Sequence, residues 1–125
     1  QALRGDTLQL FGTGEQLRDF NYVDDVVEAL LLAGASDACM GRVFNLGAPQ
    51  RYSLLDFVEQ LRRQCPLEYR RVPFPDDRRM IDIGDYYGDY GAFAEATGWQ
   101  PAVDLEEGLR RTLESFRAHP EVYWK

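Results

Sequence analysis

Residues 12 to 25, GTGEQLRDFNYVDD, constrain the fold more than any other stretch of the chain. A glycine turn, a β-favouring run and an acidic helix start follow one another there, so the backbone must reverse, extend and then coil. Gly12 and Gly14 match the opening of a dinucleotide fingerprint, but its third glycine would fall at position 17, which is Leu17, and the residues that follow are extended rather than helical. The Gly-Thr-Gly therefore reads as a turn. Gln16 to Val23, with Phe20, Tyr22 and Val23, reads as a strand, and a period of two puts Arg18 on the face of Phe20 and Tyr22. Asp24 or Asp25 is expected to cap the next helix, with Asp25 and Glu28 as an aspartate capping box. That helix, VVEALLLAGA, is apolar nearly all round and is expected to be deeply buried.

The flanking sequence alternates between the same two kinds of element. Gln1 to Gly5 reads as a helix tail stopped by glycine, and Leu8, Leu10 and Phe11 as a short strand. Gly41 to Gly47, GRVFNLG, reads as a strand bounded by glycines. Ser53 with Asp56 is a capping box for a helix from Leu54 to Cys65, whose Leu54, Phe57, Val58, Leu61 and Cys65 form one stripe. Pro66 ends it, and Leu67 to Val72 alternates apolar and charged residues as an edge strand does. Pro73 to Gly91 is the least regular segment, with a short strand expected at Met80 to Ile83; long loops of this kind often carry function. A short helix from Ala92 to Thr97 stops at Gly98. Asp104 with Glu107 caps a last helix, Leu105 to Arg117, that packs through Leu105, Leu109, Thr112, Leu113 and Phe116, and Tyr123 and Trp124 are expected to fold back on the body. The reading is an α/β (α+β) fold: a small sheet of short strands packed with three main helices, residues 1–125 forming a single domain.

Length and composition agree with one soluble domain. No apolar run approaches the ~20 residues that span a membrane, and no signal-peptide pattern opens the chain. It begins in mid-element without methionine, as a piece of a longer protein would. A net charge of −7 argues against nucleic acid as a partner. Cys39 and Cys65 sit in no metal-ligand spacing and read as buried thiols in a reducing cytoplasm. Of 14 basic residues all but Lys125 are arginine. The planar guanidinium suits bidentate contact with phosphate or carboxylate, whereas a GC-rich genome would produce the same bias, and both explanations stand.

His119, the lone histidine, precedes Pro120 and has no nucleophile beside it in sequence; it reads as a surface or packing residue. Asp76-Asp77 and Asp82 with Asp85 lack the spacing of a hard-cation loop and read as solvated. The arginines say more. Arg18 follows the glycine turn, and Arg78 and Arg79 lie in the irregular segment close to Asp82. Brought together by the fold, with Tyr22, Phe74, Tyr86 and Tyr87 as walls, they would suit a pyrophosphate joined to a flat base and a polyol. The other reading is surface arginines bridging to acids.

GTGEQLRDFNYVDDVVEALLLA, then GRVFNLGAPQRYSLLDFVEQL, then RRMIDIGDYYGDYGAFAEATGWQPAVDLEEGLRRTL, resembles the C-terminal, substrate-binding portion of the extended short-chain dehydrogenase/reductases, the NAD-dependent nucleotide-sugar epimerases and dehydratases. The resemblance covers almost the whole chain, and the order of the motifs is more specific than any one of them. It implies that Arg18, in the Arg-Asp-Phe-x-Tyr-Val-x-Asp motif, contacts a nucleotide diphosphate. Arg79 does the same from the closing segment, with Asp82 near the ribose and Tyr86 near the sugar; Arg78 takes the place of Arg79 if the register shifts by one.

The family's mechanism is transient hydride transfer from a sugar carbon to NAD, with a tyrosine as base. It holds NAD(P) on an N-terminal Rossmann domain and works through a Tyr-x-x-x-Lys pair. Neither feature lies in this sequence, where the residue four before Lys125 is Glu121. The expectation is a chain with no catalytic, cofactor or metal residue of its own that binds a nucleotide-diphosphate sugar and is inactive alone. The alternative is a scaffold module that forms a homo-oligomer or docks on a separate Rossmann chain, because an isolated GRVFNLG strand would expose an edge and apolar surface.

Overall fold

The computed structural model describes residues 1–123, so the expected return of Trp124 lies outside the described residues. A single 3-10 turn at Ala2–Arg4 ends on Gly5 in the left-handed conformation. Strand β1, Leu8–Phe11, follows, and the Gly12-Thr13-Gly14 turn carries the chain into β2, Leu17–Arg18. Helix α1 is Val23–Ala35. Strand β3, Tyr52–Ser53, runs directly into α2, Leu54–Gln64. Strand β4 is Tyr69–Val72, and α3, a single turn, is Asp76–Arg79. The chain closes with α4, Gly91–Thr97, α5, Leu105–Ala118, and α6, Pro120–Tyr123.

The fold is mixed α/β as the alternation implied, but the strands form two separate ladders and not one sheet. β1 pairs in parallel with β4, Leu8 opposite Tyr69 and Phe11 opposite Val72. β2 pairs antiparallel with β3, Leu17 opposite Ser53 and Arg18 opposite Tyr52. The larger core lies between the β1–β4 ladder, α2 and α5. Leu10, Val58, Leu61, Cys65, Leu67, Leu105, Leu109 and Leu113 are buried there together. Each such side chain, fully buried, contributes roughly 1.5–3 kcal/mol of transfer free energy. A second, smaller core joins Ala29 of α1 to Cys39, Phe93 and Trp99. Both cysteines are free and buried.

The predicted capping box of α2 is present: the Ser53 hydroxyl accepts from Asp56 N and the Asp56 carboxylate accepts from Ser53 N. The next two donors of the helix are met by the turn before it, Leu54 N donating to Gln16 O and Leu55 N to Gly14 O. Gly14 holds the turn at φ 77°, with space for no larger residue: a Cβ there would stand 2.6 Å from Leu10 Cδ2. Asp104 caps α5 by accepting from Glu107 N, and Gly98 closes α4 at φ 77°.

Five expectations are corrected. The strand after the turn ends at Arg18, because its only ladder partner, β3, is two residues long before α2 begins. Helix α1 starts at Val23 with Tyr22 at its cap position and no side-chain cap bond; Asp25 points inward, is 4% exposed, and accepts from Val103 N at 3.0 Å. α1 is not deeply buried: Val23, Val27, Leu30 and Leu31 are exposed, Leu31 by 70%. These positions recur at helical spacing, so an all-round apolar helix here has one covered face and one open face. Residues 41–47 form no strand, since no partner strand lies alongside among the described residues, and Val43 is exposed. Residues 80–83 form no strand either. The regular element of that loop is the α3 turn, where Arg78 N and Arg79 N both donate to Pro75 O.

Candidate functional site

The β2–β3 ladder fixes Arg18 in place, and the segment from 82 to 88 is stitched onto it by hydrogen bonds that span more than sixty positions. Leu17 N donates to Asp85 Oδ1 at 2.8 Å, Tyr86 N donates to Leu17 O at 3.0 Å, and Gly88 N donates to Asp19 Oδ2 at 2.9 Å. Arg18 and Tyr86 form an isolated parallel bridge. The guanidinium of Arg18 sits inside this seam. Its Nη1 donates to Leu17 O at 2.7 Å and to Gly84 O, and its Nη2 lies 3.5 Å from Asp82 Oδ1. Guanidinium carries five N–H donors. Those contacts occupy three, leaving Nε–H and one Nη2–H for a ligand anion.

The structure therefore brings Arg18, Asp82 and Tyr86 together, and separates the remaining expected residues. Arg78 lies over the Phe11 ring with its Cζ 5.4 Å from the centroid, beside the Phe11–Phe74 pair at the end of β1. Arg79 is exposed and forms no ion pair among the described residues, three positions before Asp82. Tyr22 belongs elsewhere, under Arg111 of α5 and against Gly108. Tyr87 stacks with Arg51, whose Cζ stands 3.6 Å from the ring centroid.

Asp19, Asp85 and Arg51 were not expected at the site. The two aspartates act by accepting backbone N–H groups from a distant segment, a contact with no local sequence signal. Gly47 and Gly88 were likewise missed as packing residues. A Cβ on Gly47 would stand 2.3 Å from Gly88 O, and one on Gly88 would stand 2.1 Å from Leu46 O, so only two glycines allow this crossing. Tyr52, the cross-strand neighbour of Arg18, has its phenol pushed up from its ordinary pKa by burial and then by the charge of Asp104. It therefore stays protonated and neutral near pH 7.

The Gly12–Gly14 segment does not fit a dinucleotide pyrophosphate. Both glycines hold positive φ, the turn runs into β2 and not into a helix, and of the amides that follow Glu15 N donates to Thr13 Oγ1 and Leu17 N to Asp85 Oδ1. No step through NAD is assigned to these residues.

The geometry is that of a polar seam on a mixed α/β body, with one arginine partly free for an anion. Comparisons with known proteins agree on the class. The model of the NAD dependent epimerase/dehydratase family matches residues 1–47. UDP-glucuronic acid decarboxylase 1 of Xenopus tropicalis is 36% identical over 97% of this chain and 28% of its own length. UDP-glucose 4-epimerase of Mycolicibacterium smegmatis is 34% identical, over 92% of this chain and 36% of its own length. The crystal structure of UDP-glucose 4-epimerase with UDP-glucose from Thermotoga maritima superposes with a TM-score of 0.79 at 34% identity, covering 95% of this chain and 37% of that one. These likenesses support the NAD-dependent epimerase/dehydratase family, and the chain spans about a third of the length of the relatives it matches.

Proposed function

We propose that residues 1–125 act as one nucleotide-sugar-binding unit of an NAD-dependent epimerase or dehydratase, and that the chain is inactive alone. The observation that carries this reading is the position of Arg18, held in a seam with Asp82 and Tyr86 and left with two free donors. Those donors suit a diphosphate oxygen. Arg79, at the end of α3 three positions before Asp82, is the second cation of this reading, with Arg78 as its neighbour. Asp82 has acceptor capacity for a ribose hydroxyl, and Tyr86 offers a ring and a phenol to the sugar. Binding from such non-reacting groups orients a substrate for chemistry supplied by other residues. The hydride chemistry of the family belongs to NAD(P) and to residues outside this sequence. The two buried free thiols suit a reducing cytoplasm as its place of work.

Calorimetric titration of the chain with UDP-glucose, dTDP-glucose and uridine tests this. The expected result is saturable binding of both nucleotide sugars and none of uridine, with no reduction of NAD in their presence. Binding of none of the three at millimolar concentration contradicts the binding role, and NAD turnover contradicts the claim of inactivity.

A second reading is favoured by the open face of α1. Val23, Val27, Leu30 and Leu31, with Met40 and Val43, expose apolar surface of the kind that partners cover. In this reading the chain self-associates or docks on a separate Rossmann chain through that face.

A further inference from the structure

An open cleft of about 530 Å³ runs between residues 48–51 and 87–91, outside the Arg18 seam. Gly88 lines it, next to its crossing with Gly47, where neither position tolerates a side chain. One wall carries Arg51. Among the described residues Arg51 forms no ion pair, and its Cζ stands over the Tyr87 ring, 3.6 Å from the centroid. The other arginine–aromatic contacts among the described residues are looser, at 4.6, 5.4 and 5.5 Å. Stacking on a ring holds a guanidinium through its face and leaves the N–H donors at its edge for a ligand. The opposite wall carries Asp89, whose Oδ1 accepts from Gly91 N at 2.8 Å while its other oxygen is free to accept from a hydroxyl.

Both walls are tied to the candidate site. Arg51 directly precedes Tyr52, the cross-strand partner of Arg18, and Tyr87 directly follows Tyr86, the bridge partner of Arg18. The same hydrogen bonds that hold Arg18 therefore hold the cleft at a fixed offset from it. We propose that this cleft is an anion subsite of the nucleotide-sugar site, in which Arg51, pre-set by Tyr87, binds a second negatively charged group of the ligand while Asp89 accepts from a neighbouring hydroxyl. The proposal rests on the nucleotide-sugar reading for the identity of the ligand. The shared chemistry is an oxyanion, supplied either by the diphosphate or by the carboxylate of a uronic acid sugar.

Two measurements test it, both on this chain. In the first, inorganic pyrophosphate and free glucuronate are titrated separately while the Arg51 Nε–H and Tyr87 ring resonances are followed by NMR. Saturable shifts at both residues with either anion are expected, with the Tyr87 shift lost in Arg51→Gln; no response of Arg51 to either anion overturns the subsite. In the second, UDP, UDP-glucose and UDP-glucuronate are titrated against the native chain and Arg51→Gln. Weakening of all three by about tenfold or more assigns the diphosphate. Weakening of UDP-glucuronate alone assigns the carboxylate. Equal binding of all three ligands by the native chain and Arg51→Gln overturns the subsite and leaves the nucleotide-sugar function standing. Response of Arg51 to the free anions with no nucleotide sugar bound leaves the subsite standing and removes that function.

Discussion

Single carboxylates decide more of this structure than their reading as helix caps implied. Asp25 was expected at a helix cap and instead sits buried, accepting from Val103 N and tying α1 to the segment that enters α5. Asp25→Ala removes that acceptor and leaves a partly buried amide unpaired. The expected loss is roughly 1–3 kcal/mol in a urea unfolding curve, with Asp25→Asn recovering most of it through its amide oxygen. Glu107 is the opposite case, exposed and clamped. It accepts from Arg110 through both Nε and Nη2 and from Arg111 Nε, and these contacts, Arg110 first, hold its carboxyl at about 2, down from 4.5. A carboxyl whose folded value is lowered contributes stability above its unfolded value and loses it as the pH falls through the folded one. The unfolding midpoint is therefore expected to fall between about pH 4.5 and about pH 2, and Glu107→Gln should flatten that limb. Because the cluster is exposed, 1 M salt should shrink the difference between the two proteins. The role of Asp25 was not legible: a cap motif and an inward acceptor use the same residue, and its partner lies 78 positions away.

At the scale of elements, what could be read was what local chemistry specifies. The Ser53–Asp56 box, the α2 stripe, the Gly98 stop and the α5 stripe all appear in place, because caps and apolar periodicity act within one or two turns. Strands read less well. β2 is cut short by its partner, residues 41–47 find no partner, and 80–83 stay irregular after the α3 turn. Strand formation depends on a distant ladder, so β-favouring residues alone do not secure it. Ser53→Ala tests the link between cap and site. It removes the acceptor for Asp56 N and should cost about 1 kcal/mol in thermal or urea unfolding. The Asp56 carboxyl, held low mainly by its hydrogen bonds from the Ser53 hydroxyl and amide, should rise in the same variant, which NMR titration of its side chain reads directly. Since β3 leads straight into α2, the loss should also weaken the ladder that carries Arg18.

For the molecule as a whole, the described residues combine a polar seam around Arg18 with an uncovered apolar face on α1. The apolar composition of α1 was legible and its burial was not, since the sequence specifies only that the helix wants partners and the described residues cover one face. Leu31→Glu on the open face should leave the unfolding free energy within about 0.5 kcal/mol of the native chain, as exposed substitutions do. If the face is an interface between copies, sedimentation velocity should show the native chain associating with rising concentration and Leu31→Glu remaining monomeric. A native chain that stays monomeric throughout contradicts self-association.

The proposal that Arg18 grips a diphosphate rests on a residue that the resemblance singled out, held in a seam that no local sequence signal announced. Titration of UDP-glucose into the native chain, Arg18→Lys and Arg18→Ala tests it most directly, with unfolding curves recorded on each. The account predicts that Arg18→Ala weakens binding by roughly 1.5–3 kcal/mol and that Arg18→Lys restores part of it, in folded proteins. Unchanged affinity in a folded Arg18→Ala chain would contradict it.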